Sequence, residues 1–190
     1  MATFFRGAGI GTYWHDKDAR VSGFSPHEAG MSRSTQAIID HIKNGTTQSP
    51  YVSLTRSYSI AHSYAVSGGH RTPSKTDPAY IYQIEIPSDC TGFSVLDPIR
   101  EILEPFKSPL DGSGYQHDGH SDFLIGVIDG SNIACLHKAI FAPPPKVVSS
   151  KAANLSPELE AIVCALRDAE LLAVGSIPKN YITKRYEIFS

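Results

Sequence analysis

The sequence predicts one α+β domain built from two small packed β-sheets with flanking helices. The clearest strand signal is AYIYQIEI at 79–86. The apolar and aromatic residues Tyr80, Tyr82, Ile84 and Ile86 alternate there with Ile81, Gln83 and Glu85, and Pro87 ends the run. Apolar residues recur at helical spacing at 37–42 and again at 159–166. Because short strands are separated by loops and helices are concentrated early in the chain, we expect an α+β arrangement. A chain of 190 residues suits a single core.

The first half of the chain predicts four more elements. Glycines in RGAGIG are expected to end a first strand at 2–5, and the segment up to about Met31 lacks periodicity, which predicts a loop. Either Ser34 or Ser32 can cap a helix that Gly45 ends. The remaining predicted elements are a strand at 51–54 and a helix at 57–65.

The second half predicts a long loop and then further strands. Residues 97–121 are rich in Pro, Gly, Asp and His and are predicted as loop, followed by strands at 123–127 and 135–141. Three prolines at 143–145 divide a core of residues 1–142 from a C-terminal helical extension, residues 143–190, packed on it within the same domain. Ser156 can cap the extension's helix, and 186–189 is a short strand candidate.

Composition excludes several classes of function. No apolar run approaches the roughly 20 residues that cross a bilayer, so no membrane partner is expected. A formal charge of −2 does not favour nucleic-acid binding through a broad basic surface. Three widely spaced cysteines fit a reducing compartment, and no secretory signal is visible. We therefore expect the protein to act in a cytosol, either its own or that of a target cell.

Hydroxyl side chains cluster where the second strand meets its helix. Ser53 and Thr55 occupy alternate positions, so they share one face of the strand while Leu54 faces the core. One interpretation is ordinary strand patterning followed by a helix cap at Ser57. The other is that a ligand lies against this junction.

Four segments together resemble a known enzyme family. FFRGA, YVSLTRSYSIAHSYA, AYIYQIEI and HSDFLIGVI follow one another in the order found in mono-ADP-ribosyltransferases of the cholera toxin and heat-labile enterotoxin group. The resemblance spans about residues 3–141, and the serine segment is its most specific part. It implies an ADP-ribosyltransferase-like fold, NAD as substrate, transfer of ADP-ribose to an acceptor, expected to be a protein, with release of nicotinamide, and a toxin or effector.

The resemblance also assigns the NAD contacts. It points to Arg6, whose guanidinium fork matches phosphate oxygens, with Gly7 and Ala8 beside it on the first strand. On the second strand it implies that Tyr51 and Thr55 contact NAD. The alternative for Arg6 is a strand-end arginine whose aliphatic stem covers apolar neighbours.

The resemblance places the reacting carboxylate at Asp122. Cleavage of the nicotinamide–ribose bond develops positive charge on the sugar, so a carboxylate must lie close to that ring. The family has Glu here, one methylene longer, and its first serine, which Ser53 matches, orients that carboxylate. His120 stands where arginine-modifying members have a second Glu, and as a general base it would leave hydroxyl, thiol, amide or water as acceptors. Asp122 could otherwise simply begin the strand from a turn.

Two other functions stay open on the sequence. The missing Glu is compatible with a degenerate ADP-ribosyltransferase fold that binds a nucleotide or partner without catalysis. His117, Asp118, His120 and Asp122 are also legitimate metal ligands, which would suit a metal-dependent hydrolase. Their spacing matches no familiar helical zinc motif, and the preferred interpretation assigns no metal. Protection of the protein by NAD against thermal unfolding would separate the metal-dependent hydrolase from the other two functions. Turnover of NAD would separate the enzyme from the binding module.

Overall fold

One six-stranded antiparallel sheet organises the protein. The structure is a computed structural model that describes residues 1–104 and 156–189. Its strands are β1 (Ala2–Ala8), β2 (Tyr51–Thr55), β3 (Ala79–Ile86), β4 (Ser94–Leu96), β5 (Glu170–Val174) and β6 (Ile182–Ile188). They lie in the order β4-β5-β2-β1-β3-β6, and every neighbouring pair is antiparallel. The α+β class is confirmed, whereas the described residues form one sheet where two were expected.

Six α-helices flank this sheet in the described part of the chain. They are α1 (Tyr13–Asp16), α2 (Ala19–Ser22), α3 (Thr35–Asn44), α4 (Tyr58–Ser67), α5 (Pro98–Leu103) and α6 (Pro157–Arg167). Serine caps begin three of them, as the sequence predicts: Ser34, Ser57 and Ser156 each accept a hydrogen bond from the backbone N–H three residues later. No helix within 1–104 or 156–189 is both long and apolar enough to cross a membrane.

The first strand is longer than predicted. The glycines do not end it, because Gly7 pairs with Ile81 and Ala8 with Tyr80 in the ladder with β3. Helix α4 packs directly on Gly7, where an added Cβ would lie 2.1 Å from the carbonyl oxygen of Ala61. Gly7 therefore permits a close approach of helix to strand.

The segment up to Met31, which was predicted as loop, contains α1 and α2. Each of these helices is a single turn, too short to show periodicity.

The end of the chain contributes more than a helix. Strand β5 lies inside the sheet between β4 and β2, and β6 lies at its edge beside β3. No sequence pattern predicted β5, and only the last part of β6 was expected as a strand. Helix α5 occupies the start of the segment predicted as loop, with Asp97 as its cap and Pro98 in its first turn. The strands predicted at 123–127 and 135–141, and the boundary at 142, lie outside the described residues.

Strands β1 and β2 are paired at a single position. Phe5 lies opposite Thr55, whereas every other neighbouring pair of strands shares at least three such positions. Continued pairing would have placed Gly7 opposite Ser53. Among the described residues, β1 and β2 therefore share no paired position beyond Phe5, although they are neighbours at the centre of the sheet.

Candidate functional site

A cavity of about 610 Å³ opens where β1 and β2 part. Its size lies within the range of ligand pockets, roughly 300–1,000 Å³. Strands β1, β2 and β5 and helices α3, α4 and α6 all contribute to its wall. The polar side chains that concern the chemistry are Arg6, His41, Ser53, Tyr64, Asp168 and Glu170.

Glu170 and Ser53 project from adjacent strands to the same side of the sheet. Glu170 is the first residue of β5 and lies opposite Thr55, while Ser53 is two residues before Thr55 on β2. The Glu170 side chain is 12% exposed, so its carboxylate is largely shielded from solvent but still reaches the cavity. A carboxylate and a hydroxyl therefore share this part of the cavity wall.

His41 connects these two groups. Its Nε2 lies 2.7 Å from Ser53 Oγ and 3.6 Å from Glu170 Oε1, and its Nδ1 lies 2.5 Å from Ser49 Oγ. The imidazole is fully buried, on the inner face of α3. Both ring nitrogens thus have polar neighbours, which fixes the plane of the ring.

Arg6 lies at the gap between the strands. Its Nη1 donates to the carbonyl oxygen of Ser53 over 2.5 Å, two residues before the single position at which β2 pairs with β1. Its Nε is shielded from solvent and has no hydrogen-bond partner among the described residues. Burial lowers the pKa of Arg6 from 12.5 to about 10, although Glu170 and Tyr64 act in the opposite direction. Arg6 is therefore a cation at neutral pH.

A second carboxylate, Asp168, is held by an ion pair with Arg167 and a hydrogen bond from Tyr64. Arg167 donates to both of its oxygens, at 2.7 and 2.9 Å, and Tyr64 donates to Oδ2 at 2.6 Å. The side chains of Arg167 and Asp168 are only 6% and 7% exposed. Burial and the Asp168 carboxylate raise the pKa of Tyr64 above its usual value. Asp168 supports the wall of the cavity, whereas Glu170 makes no bidentate ion pair with an arginine in the described residues.

The structure brings some of the predicted residues together. Arg6, Gly7, Ser53 and Thr55 line the cavity, although Thr55 Oγ1 donates to the backbone oxygen of Asp168. Leu54 faces the core as predicted.

Two predicted NAD contacts lie elsewhere. Ala8 and Tyr51 are each 2% exposed and do not line the cavity, because both side chains pack into the hydrophobic core. Asp122 and His120 lie outside the described residues, so their predicted roles stay predictions.

Sequence reasoning missed His41 and Glu170. His41 is one turn after Ala37 and Ile38, at a position of the helix where an apolar residue is expected, so a polar side chain there was a usable signal. Glu170 begins a short apolar run directly after a capped helix, and only its pairing with β2 reveals its place.

Comparison with known proteins adds no assignment to this site: no protein-family model matches the chain, and no curated protein matches its sequence.

Proposed function

We propose that the chain cleaves the nicotinamide–ribose bond of NAD and transfers ADP-ribose to an acceptor. The observation that carries this proposal is the carboxylate of Glu170 in a cavity that it shares with Ser53 and Arg6. The resemblance of the Arg6 and Ser53 segments to mono-ADP-ribosyltransferases supports the same activity. We extend the proposal to a toxin or effector that acts in a cytosol.

Glu170 meets the chemical requirement of this reaction. As nicotinamide leaves, positive charge develops on the ribose, and a preorganised anion close to the sugar lowers the barrier. His41 Nε2 lies 3.6 Å from Glu170 Oε1 and 2.7 Å from Ser53 Oγ, so two polar side chains accompany the carboxylate before a ligand enters. We assign the reacting carboxylate to Glu170, and we retain Asp122 as the rival that an experiment must exclude.

Arg6 supplies the complementary charge. NAD carries a pyrophosphate, and a cationic guanidinium with an unpartnered N–H matches phosphate oxygens. The same residue holds Ser53 through its backbone carbonyl. Anchoring of NAD and positioning of the serine therefore depend on one side chain. The acceptor stays open among hydroxyl, thiol, amide and water, and a protein acceptor is the one that we test first.

The decisive experiment incubates the protein with NAD labelled in its adenosine part, with and without cell lysate. We expect released nicotinamide and labelled macromolecules. Glu170→Gln should lower nicotinamide release by about 10² or more, since removal of one preorganised electrostatic group typically costs that much. Glu187→Gln is the matched control, because Glu187 is exposed on β6 and does not line the cavity.

The rival assignments give different results. If Asp122→Asn abolishes release while Glu170→Gln does not, the reaction stands and the assignment of Glu170 is wrong. If NAD raises the melting temperature without any release of nicotinamide, the chain is a binding module. If release requires a divalent metal ion and neither carboxylate variant affects it, the proposed mechanism is wrong.

A further inference from the structure

Ser49 is the first member of a hydrogen-bonded chain that runs through His41 to Ser53 at the cavity. Its Oγ lies 2.5 Å from His41 Nδ1 and accepts a hydrogen bond from the backbone N–H of Tyr51 at 3.1 Å. Its carbonyl oxygen accepts from the N–H of Glu28, which holds the backbone in place. Ser49 and His41 are 1% and 2% exposed, so water does not reach either side chain.

The hydrogen count at Ser49 decides the direction of its bond to His41. A serine hydroxyl has one hydrogen to donate and can accept two hydrogen bonds. If His41 Nδ1 carried a proton and donated it, Ser49 would accept from both Tyr51 and His41. Its own hydrogen would then have no acceptor among the described residues, and folded proteins rarely leave a buried donor unpaired.

We propose that Ser49 is a positioning residue that donates to His41 Nδ1 and thereby holds His41 in the tautomer protonated at Nε2. In this tautomer Nε2–H donates to Ser53 Oγ over 2.7 Å. The same N–H faces Glu170 Oε1 at 3.6 Å. The tautomer is thus set by a residue that does not line the cavity.

The tautomer determines what Ser53 can do. When Ser53 Oγ accepts from His41, its own hydrogen is available to a ligand in the cavity that Ser53 and Glu170 both line. In the opposite tautomer Ser53 donates to His41 and retains no hydrogen for the cavity. The catalytic part of this inference rests on the proposed function, since a hydroxyl hydrogen left available to the cavity affects turnover only if NAD reacts there.

The test uses imidazole nitrogen shifts in protein labelled with ¹⁵N, with the His41 signals assigned by their loss in His41→Gln. We expect the Nε2–H tautomer in the unaltered protein and a shift toward Nδ1–H in Ser49→Ala. Ser34→Ala is the control, because it removes a serine from the cap of the same helix without touching His41. Nicotinamide release by Ser49→Ala should show a kcat about 10-fold lower with little change in KM, the factor expected for one ordinary hydrogen bond.

An Nδ1–H tautomer in the unaltered protein overturns the proposal, and this outcome does not require Ser49→Ala to fold. An unchanged tautomer in Ser49→Ala does the same, and a changed tautomer with full turnover overturns the catalytic part. If no form of the protein releases nicotinamide, the proposed function fails while the spectra still decide the role of Ser49.

Discussion

Arg6 donates a hydrogen bond to the backbone carbonyl of Ser53 at the position where β1 and β2 stop pairing. The side chain thus replaces a missing contact of the sheet and brings a cation to the cavity. Charge and fork geometry are both required for this double contact, which a lysine cannot reproduce.

Arg6→Ala should weaken NAD binding by about 1.5–3 kcal/mol, the range for a hydrogen bond to a charged group. Arg6→Lys should recover only part of that loss. Isothermal titration calorimetry measures both, with Arg71→Ala as a control, because Arg71 lies 70% exposed in an ion pair with Asp77. Equal affinity in the unaltered protein and Arg6→Ala would show that Arg6 does not anchor NAD.

Gly7→Ala should lower the free energy of unfolding by about 2–3 kcal/mol, as expected for an overpacked contact. The added methyl group would meet the backbone of α4, which cannot move aside without shifting the helix. Urea denaturation gives the value. Gly30→Ala is the matched control, since nothing lies within 4 Å of its added Cβ, and it should change stability by less than about 0.5 kcal/mol. Similar losses in both variants would contradict the close approach of α4 to β1.

Asp168→Ala should lower the free energy of unfolding by about 3–5 kcal/mol, because it removes a carboxylate from a buried ion pair. Arg167 and Tyr64 both lose a bond to it. Asp16→Ala is the control, since that carboxylate is 67% exposed beside His15. Urea denaturation compares the two variants, and equal small effects would mean that the Arg167 pair contributes little.

Tyr64 should make stability fall at high pH. The folded protein holds its proton more tightly than the unfolded chain, where tyrosine titrates near 10. Above about pH 10 the unfolded state therefore binds fewer protons, so the free energy of unfolding decreases as pH rises. Tyr64→Phe removes this dependence.

Urea denaturation at pH 8 to 11 of both proteins tests the effect of Tyr64. The stability advantage of the unaltered protein over Tyr64→Phe should be constant below pH 9 and narrow above pH 10. A constant difference over the whole range would show that the Tyr64 pKa is not raised.

Local signals explain which elements could be predicted. Strand β3 follows from alternation, and α3 and α6 from serine caps and helical spacing, since all of these are encoded within a few neighbouring residues. Strand β5 has five residues, and its place between β4 and β2 depends on pairing with distant segments. No local pattern encodes that pairing.

Some residues of the candidate site could be predicted from local segments, and others could not. Arg6 and Ser53 were found through segments that resemble a family. Glu170 enters the site only because β5 pairs with β2 in the register that sets it opposite Thr55, and His41 because α3 packs over that strand. Glu170 therefore has no signature in its immediate sequence, whereas the polar residue at an apolar position of α3 was a local signal for His41.

The position of β5 in the middle of the sheet governs when the site exists at all. During synthesis Arg6, His41 and Ser53 leave the ribosome well before Glu170, and until β5 arrives the edge of β2 on that side has no partner. A chain cut before residue 170 would carry Arg6, His41 and Ser53 without the Glu170 carboxylate. On our assignment of the reacting carboxylate, the proposed activity therefore requires that β5 has been synthesised and has paired with β2.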